Sequence, residues 1–140
     1  AQKVVKPYVI LDAMNERAAR PVADASEEDW IFWLDTDARI HRMDISLDRF
    51  LEGAPHGVEL VLPREHADRC VFSAFAILIK NTPRMRALVE RWAKMQAVCG
   101  WVDQCNLWRA VMELGTNQTY TESTWQEPFA AYKRSGGRAT

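Results

Sequence analysis

The chain has 140 residues, with 18 Lys and Arg against 19 Asp and Glu and a formal charge of −1. That length fits one compact domain, and 48% hydrophobic beside 26% charged residues supplies enough apolar material for a core, which excludes a disordered chain. Near-neutral charge offers no clustered basic excess for nucleic acid or anionic lipid, and no run reaches the roughly 18 uninterrupted apolar residues of a transmembrane helix.

Residues 4–19 place Ile10, Leu11, Met14 and Ala18 at a helical period, with Pro7 where a first turn tolerates it and Pro21 beyond the end. An amphipathic helix is predicted. After an acidic link that runs to Asp29 comes Trp30-Ile31-Phe32-Trp33-Leu34, short, continuous, aromatic and branched, which predicts a buried strand. It stops at Asp35-Thr36-Asp37, so two carboxylates one residue apart stand at its C-terminal end.

Ser46 is a cap for a short helix through residue 50 or 51, and Gly53 to Gly57 reads as a turn before a strand over 58–62. A second apolar run over 71–79 predicts another buried strand. Thr82 and Pro83 then open a helix to about residue 98, with Met85, Leu88, Val89 and Trp92 on one face. A last helix over 102–114 repeats Cys105, Trp108, Val111 and Met112 at threes and fours, with Gly115 as its expected stop. Residues 133–140 form a polar tail after a single domain over 1–132; no repeat or linker divides it.

Strands alternating with helices predict an α/β domain with a mainly parallel sheet. In such sheets ligands bind outside the carboxyl ends of the strands, which is where Asp35 and Asp37 stand. Side chains of an alternating pair can point to one side, and two carboxylates there repel unless a cation joins them. Mn²⁺ or Mg²⁺ suits hard oxygen ligands and accepts phosphate oxygens in its remaining positions. The plainer alternative has Asp35 capping the loop and Asp37 pairing with Arg39 or Arg42.

The run from Trp30 to Ala38, followed by Asp44-Ile45-Ser46-Leu47, resembles the core of a nucleotide-sugar glycosyltransferase family, the galactosyl/mannosyl transferases of the fungal Golgi and the xyloglucan xylosyltransferases of plants. Phe75-Ala76-Ile77-Leu78-Ile79-Lys80-Asn81-Thr82-Pro83 resembles that family's strand and following helix start, and Trp101-Val102-Asp103-Gln104-Cys105-Asn106-Leu107 its Asp-Gln segment. The resemblance implies a Rossmann-like GT-A fold and a metal-dependent, retaining transfer of a sugar from a nucleoside-diphosphate sugar to a glycan hydroxyl. It also implies Asp37 as main metal ligand, Asp35 on the metal or the ribose, and Asp103 and Gln104 near the sugar and acceptor. The cofactor implied is Mn²⁺ or Mg²⁺, and the setting is a Golgi lumen behind a membrane anchor absent from these residues. In that family base-cradling strands would precede residue 1 and a His near the C-terminus adds a metal ligand, whereas His41, His56 and His66 all lie upstream of Asp103. A catalytically inactive GT-A-like binding or structural module is therefore the alternative.

Other residues have simpler readings. Trp30, Trp33, Trp92 and Trp108 are expected inside, Trp101 and Trp125 are less constrained, and His41 and His66 belong to the surface. Asp103 also suits a helix N-cap. Arg84, Arg86 and Arg91 fall on a solvated helix face. Asn117-Gln118-Thr119 is an N-glycosylation pattern that matters only in a secretory lumen. Cys70, Cys99 and Cys105 lack metal-ligand spacing; one disulfide pair or three reduced thiols are both compatible with them.

Overall fold

In the computed structural model, which describes residues 5–19, 29–64, 72–95, 103–120, 124 and 134, the first predicted helix forms as α1, Lys6–Ala18. Pro7 lies in its first turn, and α1 buries Pro7, Ile10 and Met14 at helical spacing. The aromatic run forms β1, Trp30–Leu34. Strands β2, Leu60–Val61, and β3, Ala76–Lys80, are shorter than the predicted runs over 58–62 and 71–79, and β3 ends one residue beyond its run. Helices α2, Pro83–Met95, and α3, Asp103–Thr116, follow.

The sheet order is β1-β3-β2, and both pairings are antiparallel. The expected mainly parallel, Rossmann-like GT-A sheet is therefore not what forms. In β1 and β3 Trp30 stands opposite Lys80 and Leu34 opposite Ala76, so the chain turns back rather than crossing over. Chain length does not force this, because residues 35–75 separate the two strands; what matters is what the connection contains, since a parallel return is usually carried across the sheet by an α-helix. Between β1 and β3 the described residues offer only a four-residue 3-10 helix, Leu47–Phe50, capped by the Ser46 hydroxyl, which accepts from the Asp48 amide. The sequence places this short helix correctly, from its Ser46 cap to Phe50.

Strand alternation divides β1 between two environments. Ile31 and Trp33 pack on the main core with Ile77 and Ile79 of β3, and α1, α2 and α3 supply Ile10, Met14, Leu88, Val89, Trp92, Leu107 and Trp108. Full burial of an aliphatic side chain such as Ile10 or Ile77 contributes about 1.5–3 kcal/mol. Trp108 stacks on Phe72 with ring centroids 3.9 Å apart. Phe32 and Leu34 turn to the other face of the sheet, where they line a groove. Trp30 and Trp33, three residues apart on a strand, cannot share a face, and Trp30 is absent from the core cluster.

Two further expectations change. Gly115 lies within α3 rather than ending it; the left-handed residue is Asn117, at φ 53°, a conformation that Asn adopts more readily than most residues. The arginines of α2 are engaged rather than merely solvated. Arg84 pairs with Glu59 at 3.1 Å, Arg86 donates to the Asn81 side chain at 3.0 Å, and Arg91 donates to Glu113 at 2.6 and 3.1 Å. The predicted continuation of α2 past residue 95, together with Cys70, Cys99, His66, Trp101, Trp125 and all of the 133–140 tail except Arg134, lies outside the described residues.

Candidate functional site

The turn after β1 is fixed by backbone bonds. The Asp35 amide donates to the Phe75 carbonyl at 2.8 Å, and the Ala38 amide returns to the Asp35 carbonyl at 3.0 Å. Asp35 Oδ1 accepts the indole N–H of Trp33 at 2.6 Å. It also lies 2.8 Å from Lys6 Nζ, which reaches Oδ2 at 3.1 Å.

Lys6 comes from the first turn of α1 and is only 9% exposed. Its ammonium meets Asp103 Oδ2 at 2.7 Å and donates to the Ala74 carbonyl at 2.9 Å. An ammonium has three donors, and here each has a partner: Asp35, Asp103 and Ala74. The Trp33 ring lies 5.8 Å from the same nitrogen, a cation–π distance.

Asp103 opens α3 and serves two functions at once. Its Oδ1 accepts the amide of the next residue, Gln104, at 2.8 Å, a first-turn carboxylate inside α3 rather than the expected N-cap, while Oδ2 faces Lys6. Gln104 Oε1 accepts the Ser73 hydroxyl at 3.3 Å and the Ala74 amide at 3.4 Å. The strand-end Asp and the Asp-Gln segment thus meet around a buried lysine beside the loop that enters β3.

Asp37 does not join this cluster. It is exposed in the turn, and nothing among the described residues engages its carboxylate. The alternative pairing with Arg42 does not form either, because Arg42 is bound to Asp44 at 2.6 and 2.8 Å. That pair holds the Asp44 carboxyl below its ordinary value and the Arg42 guanidinium above it.

Among the described residues no group of three or more His, Cys, Asp or Glu is arranged to hold a metal. Of the two strand-end carboxylates, Asp37 is exposed, whereas the oxygens of Asp35 already serve Trp33 and Lys6. Asp35 and Asp103 bring two carboxylates to one ammonium.

Sequence reasoning passed over Lys6. Its signal was present: a cation in the first turn of a helix opposes the helix dipole, so a lysine there needs acidic partners from elsewhere. Trp33 packs its ring against the core as expected, and its N–H also orients Asp35. Compared with family models, curated proteins and solved structures, the chain finds no significant match. No helix among the described residues is long and apolar enough to cross a membrane.

Proposed function

We propose that the chain carries the donor-side residues of a metal-dependent, retaining glycosyltransferase that moves a sugar from a nucleoside-diphosphate sugar to a glycan hydroxyl. One observation carries this reading: Asp35 and Asp103, from two of the segments on which the family resemblance rests, share the ammonium of Lys6. On this reading Asp37 would hold Mn²⁺ or Mg²⁺, a hard cation suited to carboxylate and phosphate oxygens. When bound, such an ion offsets the negative charge that develops on the leaving diphosphate.

The chain's own residues position the reactants. Trp33 and Lys6 lock Asp35, which fixes the turn that presents Asp37. Gln104, tied to Ser73 and Ala74, sets the first turn of α3 beside the same cluster, and with Asp103 it faces the sugar and the acceptor hydroxyl. The resemblance assigns the reaction to a Golgi lumen.

A second reading, a catalytically silent binding or structural module, is favoured by Lys6 itself. Its ammonium already occupies the space between Asp35 and Asp103, and all its donors are used. Thermal unfolding with Mn²⁺ and UDP- or GDP-sugars tests the first reading, since a ligand at 100 times its Kd stabilises by about 2.7 kcal/mol. A rise in Tm that Asp37→Ala abolishes, with donor hydrolysis lost in the same variant, supports a transferase. A donor-dependent rise in Tm without any turnover supports the silent module, and no shift at millimolar ligand overturns donor binding.

A further inference from the structure

The face of the sheet turned away from the helices carries a groove of about 490 Å³, within the range of roughly 300–1,000 Å³ usual for small-ligand sites. Its floor is Phe32 of β1 and Leu78 of β3, and its wall is the loop after Asp35, through Ile45 and Phe50. Phe50 is 60% and Ile40 51% exposed at its edge, so large apolar side chains face solvent where burial would be favourable. The polar residues lining it are Arg39, His41 and Arg42, and no carboxylate is among the lining residues. Arg42 is neutralised by Asp44, whereas Arg39 and His41 are exposed on the rim without a described partner.

We propose that this groove is a second ligand site, separate from the Lys6 cluster, and that it takes a monomeric amphiphile: a single alkyl or prenyl chain ending in an anionic head. The chain lies against Phe32, Leu78 and Phe50, and Arg39 receives the head beside His41. Charge decides the occupant. A cationic amphiphile would meet no acid in the lining, and a second copy docked through the same patch would bring two basic rims together.

The test is calorimetric titration with decyl phosphate below its micellar concentration, beside decyltrimethylammonium of equal chain length. Decyl phosphate is expected to bind and to raise Tm, with the cationic analogue weaker by about tenfold or more. Phe50→Asp and Arg39→Glu, both at exposed positions, are each expected to lower that affinity by about tenfold with circular dichroism unchanged. Phe50→Asp should leave any response to Mn²⁺ and sugar nucleotide intact, which separates this site from the transferase reading. Equal binding of the two amphiphiles, no binding of decyl phosphate, or a concentration-dependent dimer that Phe50→Asp abolishes would each overturn the proposal.

Discussion

Lys6 Nζ lies 2.7 Å from Asp103 Oδ2 and 2.8 Å from Asp35 Oδ1, so one helix-start lysine ties the end of β1 to the start of α3. The ammonium is nearly buried, while the two carboxylates keep 30% and 27% exposure. Water therefore screens part of their mutual repulsion, and the lysine offsets the rest.

Replacing that lysine exposes the balance. Lys6→Met retains the stem's packing but leaves Asp35 and Asp103 facing each other, and a loss of about 1–3 kcal/mol is expected from urea unfolding at neutral pH. Adding Asp103→Asn should recover part of that loss, because the pair couples through Lys6. Lys6→Met should also bind Mn²⁺ more tightly than the parent chain, read as a larger rise in Tm. An unchanged response to Mn²⁺ would refute the view that the lysine fills a cation position.

Glu113 joins α2, α3 and the residues beyond α3. It accepts from Arg91 at 2.6 and 3.1 Å, from Arg109 at 3.4 Å and from the Tyr120 amide at 2.9 Å. Burial pushes its carboxyl up, but the Arg91 hydrogen bonds, the Tyr120 amide and the two guanidinium charges outweigh that and hold it below the ordinary value. A carboxyl lowered in the folded state stabilises above its unfolded value, and that contribution is lost as pH falls through the folded value. Glu113→Gln should accordingly cost about 1–3 kcal/mol at pH 7. The gap from the parent should narrow on acidification below the unfolded value, as measured by unfolding across pH.

The two faces of β3 should respond differently to truncation. Ile77 is 1% exposed against the helices, and Ile77→Ala is expected to cost about 2–5 kcal/mol. Leu78, one residue on, borders the groove, so Leu78→Ala enlarges a space that solvent already reaches and should cost less than Ile77→Ala. Paired denaturation curves of the two variants check the order.

At the end of α3 the backbone sets the outcome. With φ 53° at Asn117, Asn117→Val should lose about 1–2 kcal/mol, whereas Asn117→Gly should stay close to the parent. Equal losses in both would point to the side chain rather than the backbone.

Much of the local structure was legible in the residues. Pro7, Ile10 and Met14 mark α1, Ser46 and Thr82 mark helix starts, and the aromatic run marks β1, because caps and periodicity act within one or two turns of chain. The direction of the sheet was not legible, since an apolar run reads the same whichever way its neighbour points, and the antiparallel pairing of β1 with β3 is decided by contacts between segments distant along the chain. The site divided in the same way.

By itself the sequence determined where the carboxylates stand: Asp35 and Asp37 at the end of an apolar strand, Asp103 and Gln104 at the head of a helix. Only the tertiary structure decided that Asp35 and Asp103 share Lys6 while Asp37 stays exposed, and that one sheet face meets three helices while the other borders a groove. Strand ends and helix caps follow from neighbouring side chains. The partner of a charge, and the face a sheet turns inward, follow from packing between segments distant along the chain.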